Sequence, residues 1–247
     1  MKGTLDEVYR YLSDQDYSSE VILVDDESTD NSRMLMKDFI DDKPNFQLYD
    51  IPHGGKPAAI WTGIQKAKGK IVLFTDMDQS TPISELDQLL PWYKKGFDVV
   101  IGSRGADRKG LSIIRRIGSM IFRNLRSLFL LRNIYDTQCG FKSCWREAAK
   151  DIFPHLQFLR QRRKPTGWKV SAYDVELLYL FEKAGYRIKE VIVEWQDRDR
   201  SDTKNQKGKG DLFRYINESV EMAKEVLQVK LNQLKGSYKK IKIQKKT

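Results

Sequence analysis

Short apolar runs alternate with amphipathic segments along the first half of the chain. Four runs are rich in β-branched and aromatic residues, as is typical of buried strands: Glu20–Val24, Phe46–Ile51, Lys70–Thr75 and Asp98–Gly102. Between them, apolar positions at helical spacing predict three helices: 34–40, Ala58–Ala67 and Ser84–Lys95. Strands that alternate with helices predict an α/β fold, an open and mostly parallel sheet with helices on both faces.

The second half is dominated by helical patterns. Amphipathic helices are predicted over Ile113–Ile134, Tyr173–Ala184 and Asp211–Leu234, and a strand over Ile188–Trp195. We find no internal repeat and no linker. We therefore expect one α/β domain over residues 1–210, followed over 211–247 by a C-terminal amphipathic helix and a basic tail.

The charge of the chain narrows the class of partner. Lysine and arginine exceed the acids by 10, and they concentrate between Arg104 and Arg132 and in the tail after Gly236. Such clusters favour an anionic partner, although a solvated basic face explains the tail equally well. Two cysteines and two histidines exclude a disulfide framework and a His-rich metal site. No apolar run reaches the ~18–20 residues of a membrane-spanning helix, and no signal peptide is recognised.

Acidic residues follow two of the predicted strands. Asp25 and Asp26 end the first strand, whereas Asp76 and Asp78 follow the strand Lys70–Thr75. Carboxyl ends of parallel strands meet at one edge of a sheet, where ligands bind. Two residues apart on an extended segment, Asp76 and Asp78 would point the same way and could hold Mg²⁺ or Mn²⁺. The alternatives are a solvated turn at this pair and an acidic helix cap at Asp25-Asp26. The chain contains no GxxxxGK[ST], GxGxxG or GxSxG motif.

Several of these motifs occur together in one known family. VILVDDESTDNS, GGKPAAIWTGIQKAKGKIVLFTDMDQST and DVVIGSR, in this order, resemble family 2 glycosyltransferases of the GT-A (Rossmann-like) fold. DTQCGFK and YDVELL resemble the dolichyl-phosphate β-glucosyltransferase branch. The resemblance implies an inverting, metal-dependent enzyme that moves a hexose, here glucose from UDP-glucose, to a polyprenyl phosphate. It further implies a cytoplasmic protein, peripheral on the inner face of the membrane, that uses Mg²⁺ or Mn²⁺ and binds no nucleic acid.

The resemblance also assigns roles to individual residues. It implies Asp76 and Asp78 as metal ligands, and Asp78 and Arg104 as catalytic residues. Donor-binding residues would be Asp25, Asp26, Lys56, Asp76, Met77 and Ser201. The acceptor phosphate would lie against Arg104, Arg115 and Ser119. Asp174 and Glu176 are pocket candidates, for which a helix-capping or surface role is an equal alternative.

The chain departs from the family pattern at its beginning. Members begin with a strand that carries a P-x-Y-N-E-like segment, whereas residues 1–8 resemble the helix after that strand. We therefore expect an unfilled central position in the sheet. Ile113–Ile134 would lie in the membrane interface or pack on the sheet. Other functions remain open: a family 2 transferase with a saccharide or other lipid acceptor, or a non-catalytic nucleotide-sugar-binding protein at a membrane. A nucleic-acid binder ranks last because no such motif is present.

Overall fold

The structure is a computed structural model, and it describes residues 2–105, 131, 134–161, 173–196, 198, 211–239 and 241. The predicted helix Ile113–Ile134 therefore lies almost wholly outside the described residues, and residues 201–210, which include Ser201, lie wholly outside them. Described helices and strands otherwise follow the predicted order, with α/β alternation through the first half.

Parallel strands and helices alternate in the N-terminal part. Helix α1 spans Lys2–Ser13, α2 spans Ser32–Ile40 and α3 spans Lys56–Lys66. Strand β1 covers Val21–Asp25 and pairs in parallel with β2, Phe46–Asp50. Their register places Val21 opposite Phe46 and Asp25 opposite Asp50, so both strands end at the same edge.

A four-stranded sheet forms the centre of the molecule, in the order β3-β5-β4-β6. Its strands are β3, Ile71–Phe74; β4, Val99–Ser103; β5, Lys142–Trp145; and β6, Ile188–Ile192. Strands β4 and β6 are parallel, whereas β5 runs antiparallel to both β3 and β4. Within the described ranges, β1 and β2 form a separate two-stranded sheet that is not hydrogen-bonded to β3.

The remaining helices are short except for the last two. The predicted helix Ser84–Lys95 is instead a 3₁₀ turn, Ile83–Glu85, followed by α4, Leu86–Leu89, and α5, Pro91–Lys94. Proline has no backbone N–H to donate to the preceding turn, so a break before Pro91 is expected. After β5 come α6, Arg146–Ile152; α7, Gln157–Gln161; α8, Tyr173–Lys183; and α9, Asp211–Leu234.

Two apolar clusters hold these layers together. One includes α8 and α6, where Val175, Leu177 and Ile152 are fully buried. The other joins α1, α2 and β1 to the opposite face of the sheet, through Leu5, Phe39 and Leu23. Among the described residues, no helix has the length and apolar character needed to cross a membrane.

Candidate active site

The carboxyl end of β1 places two adjacent acids in different surroundings. Asp25 is buried; its Oδ2 accepts a hydrogen bond from the Ser28 amide at 3.1 Å, whereas its Oδ1 has no hydrogen-bond partner. A buried carboxylate oxygen without a donor is costly, so this atom is suited to accept a hydrogen bond from a ligand. Asp26, in contrast, already binds protein groups through both oxygens.

Asp26 fixes the glycine loop that begins α3. Its Oδ1 accepts from the Gly54 amide at 2.7 Å and its Oδ2 from the Gly55 amide at 2.9 Å. Gly55 has a φ of 75°, a conformation that a residue without Cβ adopts readily. The loop therefore sets the start of α3, and its first residue, Lys56, extends towards the end of β3, where its Nζ pairs with Asp76 Oδ1.

Asp76 and Asp78 lie on a tight turn after β3, so the expectation of an extended segment at this pair was wrong. The Gln79 amide donates to the Asp76 carbonyl at 3.1 Å, and Gln79 has a φ of 48°. Asp78 Oδ1 accepts from the Ser80 amide at 2.8 Å. The two acids remain neighbours, but one belongs to an ion pair and the other stabilises the turn.

The Lys56 ammonium group lies among several carboxylates. Desolvation acts against its charge, but the nearby Asp76, Asp174 and Asp78 outweigh that effect and raise the pKa of Lys56. The side chain therefore stays protonated at neutral pH. It places a positive charge beside Asp76. A metal ion that binds Asp76 would therefore compete with the ammonium group, whereas a phosphate oxygen could pair with it.

Gly140 provides close packing beneath Asp76. A Cβ atom at position 140 would lie 1.9 Å from Asp76 Oδ2 and 2.6 Å from its Cγ. Only glycine leaves room for this carboxylate in its observed position. The segment between β4 and β5 thus shapes the acidic side of the site, although it is distant in sequence from Asp76.

A buried ion pair lies next to these residues. Lys142, on β5, is 1% exposed; its Nζ lies 2.7 Å from Asp174 Oδ1 and also donates to the Cys139 carbonyl. Asp174 is in the first turn of α8, where the helix dipole favours a negative charge. The pair joins the central strand of the sheet to the start of α8.

Arg104 follows β4 and forms an ion pair with Asp136. Its Nε and Nη2 donate to the two Asp136 oxygens at 2.7 and 2.8 Å, and its backbone amide donates to Oδ2 at 3.0 Å. The guanidinium carbon lies 5.6 Å from the centre of the Trp195 ring. This bidentate pair fixes the orientation of the guanidinium group at the same edge as the acids.

The structure brings some of the predicted site residues together, and others lie outside the described residues. Asp26 holds the loop that precedes Lys56, and Lys56 pairs with Asp76. Asp78 is two residues further on, and Met77 between the two acids is exposed. Asp25 and Arg104 each follow a strand at the same edge. Three predicted residues lie outside the described residues: Arg115, Ser119 and Ser201.

Glu176 lies in a separate buried cluster, which supports the capping alternative for this residue. Its carboxylate accepts from the Gln157 amide, the first residue of α7, at 3.2 Å, and from the Tyr238 hydroxyl at 2.7 Å. It therefore stabilises the start of α7 and the segment after α9.

Sequence reasoning did not assign roles to Asp136, Gly140 and Lys142. A signal was present, because Lys142 is the only charged residue in the stretch 137–145. Charged residues at such positions are almost always paired. The partner, Asp174, is 32 residues further along the chain and cannot be identified from local spacing.

The acids of the site suit a hard divalent ion. Carboxylate oxygens are the protein ligands that Mg²⁺ and Mn²⁺ prefer, and Mg²⁺ commonly takes only one or two of them, with water and substrate phosphates completing its shell. The part of the chain that the structure describes contains no group of three His, Cys, Asp or Glu residues able to hold a metal. Asp76 and Asp78 fit the smaller set.

Comparison with known proteins identifies the family of the chain. The family model for glycosyl transferase family 2 matches residues 2–153. The chain is 32% identical to a dolichyl-phosphate beta-glucosyltransferase of Dictyostelium discoideum, covering 97% of this chain and 72% of the relative. The corresponding protein of Saccharomyces cerevisiae is 30% identical, with 89% and 66% covered, and that of Homo sapiens 29% identical, with 95% and 72% covered.

Among solved structures, mannosyl-3-phosphoglycerate synthase from Rubrobacter xylanophilus aligns with a TM-score of 0.58 at 15% identity, covering 98% of this chain and 72% of that one. At this identity the likeness concerns the fold alone, and it confirms the predicted GT-A architecture. The family model covers more than half of the chain, and it includes the ends of β1 and β3 with their acids. The chain therefore belongs to glycosyl transferase family 2.

Proposed function

We propose that this chain is an inverting hexosyltransferase that moves glucose from UDP-glucose to a polyprenyl or dolichyl phosphate. We place it on the cytoplasmic face of a membrane, as a peripheral protein. The observation that carries the proposal has two parts. Asp26, after β1, holds the loop before Lys56, which pairs with Asp76 after β3. Arg104 follows β4, which runs in the same direction as β3 in the four-stranded sheet. The dolichyl-phosphate beta-glucosyltransferases to which the chain is similar support this choice of donor and acceptor.

The reaction explains why both signs of charge are needed. A nucleotide diphosphate gains negative charge as it leaves the sugar, and the acceptor phosphate is already anionic. Arginine presents a planar fork that matches phosphate oxygens, so Arg104, held by Asp136, would orient the acceptor. Asp76 and Asp78 would hold Mg²⁺ or Mn²⁺, which when bound neutralises charge developing on the diphosphate.

The other residues would bind and orient the donor. Asp25 has an unpartnered buried oxygen that would accept a hydrogen bond from the nucleoside. Lys56 would contact a diphosphate oxygen from its position beside Asp76, and Asp26 would act through the loop that sets Lys56. Met77 lies exposed at the rim of the acidic turn, where it would contact the donor.

Three further assignments rest on the sequence resemblance. Ser201 would close over the donor, and Arg115 with Ser119 would complete the acceptor-phosphate site.

An acceptor oxygen attacks the anomeric carbon, and the bond from that carbon to the diphosphate oxygen breaks on the opposite side. This in-line displacement inverts the anomeric centre and yields a β-linked product from an α-linked donor. The acceptor is already deprotonated, so no strong general base is required.

The test is transfer of labelled sugar to polyprenyl phosphate by the full chain, with UDP-glucose and GDP-mannose as separate donors, in Mg²⁺, Mn²⁺ or EDTA. The variant Asp78→Ala removes a proposed ligand, and Asp38→Ala, an exposed acid on α2, is the matched control. We expect metal-dependent transfer from UDP-glucose, a loss of roughly 100-fold or more in Asp78→Ala, and no change in Asp38→Ala.

Each other outcome rejects a definite part of the proposal. Transfer from GDP-mannose alone would overturn the assigned donor. Transfer to a saccharide but not to polyprenyl phosphate would overturn the acceptor. Activity that persists in EDTA would overturn the metal assignment, and nucleotide binding without any turnover would indicate the non-catalytic alternative.

A further inference from the structure

The C-terminal helix α9 is fixed to the domain by one face. Val226 and Val229 on this face are buried, and Tyr238, just after the helix, is 2% exposed. The Tyr238 ring lies 5.8 Å from that of Tyr179 on α8. Its hydroxyl donates to Glu176 at 2.7 Å. The orientation of α9 about its axis is therefore determined by packing, and this determines which residues face outward.

The outward face of α9 carries an apolar stripe, defined as Val220, Leu227, Leu231 and Leu234. These residues are 46%, 50%, 47% and 72% exposed. Their spacings of seven, four and three residues place them on one side of an α-helix. Ten large apolar side chains are exposed among the described residues, and four of them belong to this stripe. Exposed apolar residues aligned on one side of a helix mark an interaction surface, unlike isolated apolar residues.

The surrounding charge identifies the partner. From Val220 to the C-terminus the sequence has eight lysines and two acids, Glu221 and Glu225, and no acid follows Glu225. Lys224 and Lys235 are exposed, and helical spacing places them on the same side as the stripe. Two copies of such a surface would repel each other, whereas an anionic bilayer would attract the lysines and accept the leucines. Long lysine side chains can reach the headgroups while their stems cover apolar surface.

We propose that the stripe of α9, with Lys224 and Lys235, docks the protein on an anionic lipid bilayer. The end of α9 is connected through Tyr238 and Glu176 to α8, whose first turn holds Asp174 beside the candidate active site. Docking through the outward face of α9 therefore leaves α8 one helix away from the lipid surface. The benefit to catalysis rests on the proposed transfer to a lipid phosphate, whereas docking itself requires no catalysis.

The experiment is sedimentation of the full chain with vesicles that contain neither polyprenyl phosphate nor a sugar donor. Phosphatidylcholine vesicles are compared with vesicles containing phosphatidylserine, at low and high salt. The test variant is Leu227→Ser/Leu231→Ser/Leu234→Ser. Its matched control is Met34→Ser/Leu35→Ser, which changes two exposed apolar residues on α2 (54% and 42% exposed). Urea unfolding of each variant shows that the fold is intact.

We expect the wild type and the α2 control to bind anionic vesicles, more weakly at high salt. The triple variant should partition at least roughly tenfold less, because it loses three insertable apolar side chains. The proposal is overturned if the wild type fails to bind, if the folded triple variant binds equally well, or if the stripe instead supports a dimer in solution that the triple variant lacks. Transfer to a short, water-soluble polyprenyl phosphate tests the proposed function separately, and it should be unaffected by the triple variant.

Discussion

The buried carboxyl of Glu176 allows a quantitative test of the packing between α8 and the segment after α9. Burial raises the pKa of Glu176 to about 7 from an ordinary value of 4.5, although hydrogen bonds from Tyr238 and Gln157 act in the opposite direction. The side chain is only 6% exposed, so loss of hydration is the dominant cause.

The sign of the resulting pH dependence follows from linkage. A carboxyl group with a raised pKa in the folded state takes up its proton more readily there than in the unfolded chain. Its contribution to stability is fully present below pH 4.5 and is lost as the pH rises to about 7. Each pH unit of the interval corresponds to ~1.4 kcal/mol, so the ionised side chain lowers the free energy of unfolding by about 3 kcal/mol above pH 7.

Glu176→Gln removes this ionisation while its amide oxygen can still accept the hydrogen bond from Tyr238. We expect the variant to be more stable than the wild type at pH 8, by about 2 kcal/mol once ~1 kcal/mol is deducted for an altered hydrogen bond to Gln157. At pH 4.5 the advantage should vanish or reverse. Urea unfolding followed by tryptophan fluorescence measures both, since the chain has five tryptophans.

A second variant separates ionisation from simple packing. Tyr238→Phe removes a hydrogen bond that holds the pKa of Glu176 down, so the loss of stability between acid and neutral pH should become steeper. The reasoning is refuted if the stability difference between wild type and Glu176→Gln is the same at pH 4.5 and pH 8. The contributions of other titrating groups to the free energy of unfolding are the same in both proteins, so they cancel in that comparison.

Two further predictions concern the candidate active site. Gly140→Ala would place a methyl group 1.9 Å from Asp76 Oδ2, so the carboxylate must move. We expect nucleotide affinity, measured by calorimetry, to fall by roughly tenfold or more. Wild-type affinity in this variant would contradict the role of Gly140. Lys142→Met leaves Asp174 buried without its partner, which should lower the free energy of unfolding by ~3–5 kcal/mol. The double variant Lys142→Met/Asp174→Asn should recover most of that loss, and failure to recover would show that the ion pair is not its source.

Local sequence patterns predicted the parts of the fold that depend on local burial. Strands β1, β3 and β4 lie within one or two residues of the predicted runs, and α9 has the predicted bounds, Asp211–Leu234. The period of apolar positions determines such elements because each buries one face or one stripe. The acids after β1 and β3 were predictable for the same reason, since they follow where the apolar runs end.

The rest of the site depends on contacts between distant segments. Strand β5 inserts antiparallel between β3 and β4, and this pairing brings Lys142 to Asp174. Nothing in the spacing of residues along the chain indicates that insertion. The turn at Asp76 was missed because it depends on Gln79 with a positive φ, a conformation that a non-glycine residue rarely adopts.

The four acids at the ends of β1 and β3 differ in how fully their oxygens are used, and this difference assigns their roles. Asp26 accepts two backbone hydrogen bonds and positions the loop before α3, so its effect on a ligand passes through Lys56. Asp78 gives one oxygen to its own turn, and Asp76 shares one with the Lys56 ammonium group. Asp25 keeps a buried oxygen without a partner. A ligand gains most from groups whose partners are absent or exchangeable, because a saturated carboxylate must first lose bonds. We therefore propose that a nucleotide-sugar engages Asp25 and the Asp76–Lys56 pair directly, whereas Asp26 positions the loop that precedes Lys56.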